Sequence, residues 1–440
     1  MINAKAFADK HYAVYGLARS GLATAEALLA SRAKVTAWDA REEARAKAPA
    51  GAEIANLDEI DLSQFDSLVV TPGLPLNRHP IASRARDAGV EIIGDIELFA
   101  RARAELPPHR VVGITGTNGK STTTALVHHI LQTAGVPSLM GGNIGLPILA
   151  QDPLPEGGVY VLELSSYQLD LTKSLDCDVA VLLNITPDHL DRYESFDAYA
   201  ASKARLFEMQ SPETMAIFGD SDQATSDILE RVIEARPNEI GSTSEFPIVQ
   251  SVRLIPSDFP ADQQNWPKLQ GPHNRQNTDA AIAVCFELGL DRPTIDQGLG
   301  TYPGLPHRME RVAEKNGVLF VNDSKATNPT ATAPALAAFP KIRWICGGQA
   351  KTDNLDECAP WFGHVRTAYT IGEAAQLFER LLSPHIPVKN CGKLDAAVRE
   401  AAADAEAGDI VLLSPACASF DQFRDFEDRG DQFRDLVEEL

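Results

Sequence analysis

Short apolar runs rich in β-branched residues, among them AVYG, KVTAW, SLVVTPG, VVGIT, DVAVLLN, VLFVN and DIVLLS, alternate with Ala- and Leu-rich stretches along almost the whole chain. Continuous apolar runs of four to six residues suit strands buried on both faces. Parallel strands also need a long crossover, which the intervening helical stretches supply. The alternation therefore restricts the chain to the α/β class, with sheets covered by helices. At 440 residues the chain exceeds what one core ordinarily organises and fits about three domains.

Punctuation along the sequence places their limits. A strand ends at Gly16, Ser20 to Ser31 reads as a helix, KVTAW is the next strand, and SLVVTPG closes a third at Gly73, a Rossmann-like start. Pro107 and Pro108 in ELPPHR cannot continue a helix and precede the strand VVGIT. TYPGLPHR, Thr301 to Arg308, separates a helix-rich region from VLFVN. The expected division is a Rossmann-like domain over 1–98, a P-loop-type central parallel sheet over 99–302, and a Rossmann-like C-terminal domain over 303–440.

Charge and composition exclude several functions. Lys and Arg total 40 against 61 Asp and Glu, a formal charge of −21, whereas nucleic acid or an anionic membrane surface requires a basic face. No apolar run nears the roughly 18 residues of a span, and MINAKAFADKHYAVYG is charged where a signal peptide is apolar, so a cytoplasmic location is expected. The six cysteines include no C-x-x-C pair, which indicates neither a zinc site nor a disulfide framework.

The densest chemistry lies in GITGTNGKSTTT, between the strand VVGIT and the helical stretch ALVHHILQTAG. Backbone amides in such a loop, with the positive end of the next helix, cradle phosphate oxygens. Gly113, Thr115, Gly116, Thr117, Asn118 and Gly119 would form the cradle. Lys120 would meet the outer phosphates, and Ser121 or Thr122 would offer a hydroxyl to Mg²⁺. Glu163 ends VYVLE, a buried strand expected beside the P-loop strand, where a carboxylate can hold Mg²⁺. His189 follows DVAVLLN in a turn; alone it reads more readily as a structural or surface histidine than as a ligand, and only its company with Glu163 and Lys203 changes that reading. Lys203 shares a helical face with Tyr199 and Phe207, and either snorkels to water or is desolvated and partly neutral. Asn274 and Asn277 lie three apart at a helix start, and helix capping accounts for only one of them. Arg308 stands on the interdomain segment, either stacking on a base or in an ion pair.

Three further strand ends, at Asp323 to Asn328, at Gly347 to Lys351 and at Ser414 to Phe426, would form a polar pocket if they faced one sheet edge. In the first domain GLARSG resembles a dinucleotide turn, although Ala18 replaces the second glycine; Asp39 and Thr71-Pro72-Gly73 close the neighbouring strands.

Taken in order, GITGTNGKST, GGNIG, ELSSYQL, NITPDHLDRY, SKARLF, GPHNRQN, GLPHRME, NDSKATN, GGQAK and SPACASFDQFRDFEDRG resemble the Mur ligase family over nearly the whole chain. NDSKATN and SPACASFDQF most resemble the branch that adds D-glutamate. The resemblance implies a monomeric ATP-dependent amide ligase of peptidoglycan precursor synthesis, acting on UDP-N-acetylmuramoyl-L-alanine and D-glutamate through an acyl phosphate. It implies two Mg²⁺ ions, one served by Ser121 and Glu163, the other by His189 and Lys203, the lysine being carbamylated by CO₂. Lys120, His189 and Lys203 would be the catalytic residues. Asn274, Asn277, Arg308 and Asp323 would hold the adenosine part of ATP. Thr327, Lys351, Ser419 and Phe426 would hold D-glutamate. Ser20, Asp39, Thr71, Pro72, Gly73 and Asn143 would hold the UDP-sugar. Arg19 and Ala40 stand where better-known members carry an apolar and a hydroxyl residue. The competing readings are another amide ligase of the superfamily, such as folylpolyglutamate synthase, and a nucleotide-gated switch protein. Folylpolyglutamate synthase would lack the Rossmann-like leader, a Mur ligase adding diaminopimelate would carry a different C-terminal sequence in place of SPACASFDQF, and the switch protein would leave Glu163, His189 and Lys203 without a shared task.

Overall fold

The computed structural model describes residues 1–189, 191–234, 251–254, 263–266, 268–269 and 272–440. Leu190 of NITPDHLDRY and Gly271 of GPHNRQN lie outside the described residues. The described residues form three sheets. The first contains β1 (His11–Tyr15), β2 (Lys34–Trp38), β3 (Glu53–Ile54), β4 (Ser67–Val70) and β5 (Glu91–Ile93). Their order is β3-β2-β1-β4-β5, all parallel. The order reverses between β1 and β4, and such a switch point is where open α/β sheets commonly bind ligands.

The second sheet contains β6 (His109–Thr115), β7 (Ser138–Gly142), β8 (Gly158–Glu163), β9 (Val179–Leu182), β10 (Met215–Phe218) and β11 (Ser251–Leu254). It is parallel throughout in the order β11-β10-β9-β6-β8-β7. The P-loop strand β6 is therefore flanked by β8, which ends in Glu163, and by β9, which leads to His189. Phe207 stacks on Phe218 at 4.4 Å, and such burial contributes about 1.5–3 kcal/mol per side chain. This packing seats the helix Phe196–Glu208 on the sheet and carries Lys203 to the end of β6. One apolar cluster joins the layers of these two sheets, from Phe7 and Leu28 to Leu162 and Phe218.

The third sheet contains β12 (Glu310–Lys315), β13 (Val318–Asn322), β14 (Ile342–Gly347), β15 (Val365–Ile371), β16 (Val388–Gly392) and β17 (Ile410–Leu413), in the order β12-β13-β17-β14-β15-β16. It is mixed, because β12 runs antiparallel to β13 while the other neighbouring pairs are parallel. Asn316 (φ 53°) and Gly317 (φ 76°) make the two-residue turn between them. Paired positive φ values match the right-handed twist of a hairpin, which is why Asn-Gly is favoured there. As expected from the sequence, β13, β14 and β17 end at one edge; they are adjacent and parallel.

By compactness, Met1–Asp262 with Gln276–Tyr302 form one unit and Gln263–Arg275 with Pro303–Leu440 a second. No helix among the described residues is long and apolar enough to cross a membrane.

Candidate active site

In the first unit, β6 runs into a loop whose Gly116 (φ 150°) and Gly119 (φ 85°) adopt backbone conformations that side chains disfavour. A Cβ on Gly119 would lie 2.1 Å from Asn277 Oδ1, so the loop and the helix Pro272–Glu287 meet at a glycine-only distance. Gly119 caps the helix Lys120–Thr133, directing its N-terminal amides at the loop. The turn is held from β9: the Thr117 amide donates to Asn184 O (2.8 Å), the Asn118 amide to Asn184 Oδ1 (2.9 Å), and Asn184 Nδ2 to Gln276 Oε1 (3.0 Å). Thr117 Oγ1 lies 3.1 Å from Tyr199 Oη. Asn184 was legible only as part of LLNIT, and its bracing role needs the fold.

Two residues assigned to the phosphate cradle are packing groups instead. Gly113 lies inside β6, where a Cβ would meet Cys177 Sγ at 2.7 Å, with Leu206 and Leu164 beside it. Thr115 is fully buried and donates its hydroxyl to Leu164 O (2.8 Å). The loop itself begins at Gly116. Ser121 is buried and Thr122 half-buried on the first turn of the helix.

Lys120 Nζ folds back on the loop, donating to Gly116 O (2.9 Å) and Thr117 O (2.8 Å). Lys203 Nζ donates to the same Gly116 O (2.8 Å) and sits 4.7 Å from the Tyr199 ring centroid. At 1% exposure Lys203 does not snorkel. Its pKa falls well below the ordinary lysine value, first because of burial and then because of the Lys120 charge, with Asp188, Asp170 and Glu163 opposing. Glu163, 2% exposed, accepts at Oε1 from Asn143 Nδ2 (2.8 Å), while its buried Oε2 has no partner. Such an oxygen is costly unless a cation or a proton meets it. His189 (φ 56°) is partly exposed, with Nε2 3.5 Å from Asp188 Oδ2 and its ring 5.0 Å from Tyr167.

At the switch point of the first sheet, a Cβ on Gly21 would lie 1.8 Å from Gly16 O, and one on Gly16 2.5 Å from Thr71 Oγ1. GLARSG thus wraps directly on Thr71. Ser20 lies on the first turn of the helix Arg19–Ala30. Asp39 accepts from the amides of Leu17 (2.8 Å) and Arg41 (3.0 Å) and from Arg41 Nε (3.2 Å), so its carboxylate already organises the turn. Pro72 and Gly73 turn their carbonyls toward Arg192. Arg19 Nη2 donates to Gly145 O (2.9 Å), in the loop that carries Asn143.

The second unit gathers the other polar cluster. Asp323 Oδ2 accepts from Ser414 Oγ (2.8 Å) and Oδ1 from the Met309 amide (3.2 Å). Burial pushes its carboxyl up to about 7, against these bonds and the Arg308 and Arg429 charges. Lys325 Nζ lies 3.9 Å from the Phe426 centroid. Ser419 is buried, Thr327 half-buried, and Lys351 exposed after the positive-φ pair Gly347 and Gly348. Arg429, which sequence reasoning left unassigned in FEDRG, is fully buried. It donates to Ser324 Oγ (2.9 Å), Ser324 O (2.7 Å), Cys417 O (3.1 Å) and Ala418 O (3.3 Å), tying the loops after β13 and β17. Asn274 is buried in this unit, whereas Asn277, on the same helix, is buried in the first and accepts from Thr123 Oγ1 (3.3 Å).

Three family descriptions match the chain in succession: a Mur ligase MurD-like N-terminal domain over 10–94, a Mur ligase middle domain over 114–285, and a Mur ligase glutamate ligase domain over 307–417. The UDP-N-acetylmuramoylalanine--D-glutamate ligase of Novosphingobium aromaticivorans is 61% identical, the match covering 100% of this chain and 97% of that one. The enzyme of the same name from Sphingopyxis alaskensis is 59% identical, covering 100% of both. The fold is similar to that of the solved UDP-N-acetylmuramate-alanine ligase of Thermotoga maritima, with a TM-score of 0.58 at 16% identity over 98% of this chain and 99% of that one. With full-length identity of this order and three consecutive domain matches, the chain belongs to the Mur ligase family.

Proposed function

We propose that this chain is an ATP-dependent ligase that joins D-glutamate to UDP-N-acetylmuramoyl-L-alanine in peptidoglycan precursor synthesis. The observation that carries the chemistry is the convergence of Lys120 and Lys203 on one carbonyl, Gly116 O. The full-length relatives carry the choice of substrates. The work divides as 1–98 for the UDP-sugar, 99–302 for ATP and 303–440 for D-glutamate. The enzyme acts as a cytoplasmic monomer.

A carboxylate is a poor electrophile, so the alanine carboxylate must be activated. Its oxygen attacks the γ-phosphorus of ATP, the bond to the β-phosphate oxygen breaks, and ADP leaves an acyl phosphate. The amine of D-glutamate then attacks the acyl carbon, loses a proton, and phosphate departs with the C–O electron pair. Two anions meet in the first step, and the chain opposes their repulsion with the Lys120 ammonium and the amides of Gly116–Ser121. Asn274, Asn277, Arg308 and Asp323 hold the adenosine. Ser20, Asp39, Thr71, Pro72, Gly73 and Asn143 hold the UDP-sugar, and Thr327, Lys351, Ser419 and Phe426 hold D-glutamate.

The unpartnered, buried Glu163 Oε2 fits a divalent cation. Among the described residues no three His, Cys, Asp or Glu side chains gather as a ready-made cage. Ser121 and Glu163 would therefore hold one Mg²⁺ together with ATP oxygens, and His189 with a carbamylated Lys203 the other. Bound there, Mg²⁺ supplies positive charge to the phosphates. Carbamylation requires a neutral amine, and the burial of Lys203 beside Lys120 favours that form. The test is phosphate release from ATP with purified enzyme. Release that requires both UDP-N-acetylmuramoyl-L-alanine and D-glutamate supports the reading; equal activity with L-lysine or a folate would sink it.

A further inference from the structure

The turn that carries His189 is tied to the first sheet by an arginine with no role assigned above. Arg192 Nη2 donates to Leu74 O (2.8 Å) and Pro72 O (3.5 Å), and Nη1 to Gly73 O (3.2 Å). Three consecutive carbonyls thus converge on one guanidinium. Its Cζ lies over the Tyr167 ring, 4.3 Å from the centroid, and the His189 ring is 5.0 Å from the same tyrosine. The Arg192 amide donates to His189 O (2.9 Å), so side chain and backbone of one residue bind the two loops. A second brace runs the other way: Arg78 Nη2 (2.7 Å) and Asn77 Nδ2 (3.3 Å) donate to Asp191 O.

The two loops have different tasks. Residues 71–74 follow β4 at the switch point of the first sheet, and Thr71, Pro72 and Gly73 belong to the proposed UDP-sugar grip. The turn after β9 presents His189. Carbonyls that would otherwise face water are spent on a planar five-donor fork, a geometry lysine cannot reproduce. His189 adopts a positive φ, which is strained for a residue with a Cβ and persists only where its surroundings hold it.

We infer that Arg192 is a positioning residue that couples UDP-sugar binding to divalent-metal binding, by latching the 72–74 carbonyls to the His189 turn. Closure of the first-sheet loop on the sugar nucleotide fixes Arg192, and Arg192 fixes His189. By linkage, metal must tighten sugar-nucleotide binding by the same factor. The inference rests on the function proposed above.

The test is equilibrium binding of Mn²⁺, followed by its electron paramagnetic resonance signal, with and without UDP-N-acetylmuramoyl-L-alanine. In the wild-type enzyme the sugar nucleotide should tighten Mn²⁺ binding about five-fold or more, the range of ordinary coupling energies. In Arg192→Met that factor should fall to within about two-fold of unity, while each ligand alone still binds and the KM for D-glutamate is unchanged. Arg192→Lys, which can reach one carbonyl of three, should retain an intermediate factor. Should Arg192→Met melt below the assay temperature, Arg78→Met takes its place and should lose part of the coupling. Full coupling in Arg192→Met, or in Arg78→Met where that variant stands in, overturns the latch and leaves the functional reading intact. A wild-type enzyme that binds neither the sugar nucleotide nor Mn²⁺ removes the functional reading and the latch with it.

Discussion

Asp323→Asn separates two accounts of the buried carboxyl at the end of β13. Burial pushes its pKa from 3.8 to about 7, even though Ser414, Met309 and the charges of Arg308 and Arg429 favour ionisation. A carboxyl whose folded pKa lies above its unfolded value binds more protons when folded, so stability falls as pH rises from about 4 to about 7 and is level above that. At 1.36 kcal/mol per pKa unit the cost at pH 8 is about 4 kcal/mol, an upper figure for a site that can relax. The opposing account makes Asp323 the counter-charge of Arg429, and removing it would then cost about 3–5 kcal/mol. Geometry favours the first account, because the four hydrogen bonds of Arg429 end on a hydroxyl and three carbonyls, none on Asp323. In Asp323→Asn the amide oxygen can accept from Met309, and the Ser414 hydroxyl can rotate to accept instead of donate. The variant should match wild type near pH 4 and exceed it progressively toward pH 8 in urea unfolding, followed by a probe in the second unit. It should also lose nucleotide affinity, because an amide replaces the group proposed to hold adenosine. A variant less stable than wild type at pH 8, or a stability difference independent of pH, would refute the reasoning.

Gly119→Ala places a methyl 2.1 Å from Asn277 Oδ1 at φ 85°; a loss of about 2 kcal/mol or more and a raised KM for ATP are expected from thermal melts and steady-state kinetics. Glu163→Gln should leave the melting temperature undiminished, since the charge it removes has an unpartnered buried oxygen, yet weaken Mn²⁺ binding at least ten-fold by titration. Lys203→Ala should abolish most turnover; bicarbonate should not restore it, and short carboxylates should do so in part, whereas wild-type turnover in the variant would exclude the carbamate. Lys203→Met should be more stable than wild type at neutral pH, with the gap closing toward pH 10.5. A lysine with a depressed folded pKa gives up its proton on folding, so wild-type stability rises with pH through that window.

Much of the architecture was readable because it is local. Apolar runs between helical stretches predict buried parallel strands joined by crossovers, whereas the strand orders exist only in the folded sheets. The Asn316-Gly317 hairpin was equally local, a pair whose positive φ values announce a two-residue turn; treating VLFVN as a lone strand overlooked it. Gly113 misled for the opposite reason. A glycine three residues before another in a Gly-rich motif looks like loop, and only the approach of Cys177, from elsewhere in the chain, makes it a packing position.

The residue types of the site, with their order and spacing, were set by the sequence alone: a loop flanked by glycines, a lysine after it, a carboxylate ending the neighbouring strand, a histidine after the next. Their electrostatic state was decided by tertiary structure. Lys203 between Tyr199 and Phe207 has the same local pattern whether it snorkels or is buried. The choice fell to the packing of its helix on β6, which set its Nζ against the carbonyl that Lys120 already uses. Hydrogen bonding and desolvation depend on atoms brought from distant segments, so the missing partner of Glu163, the raised pKa of Asp323 and the reach of Arg192 to three carbonyls exist only in the folded chain.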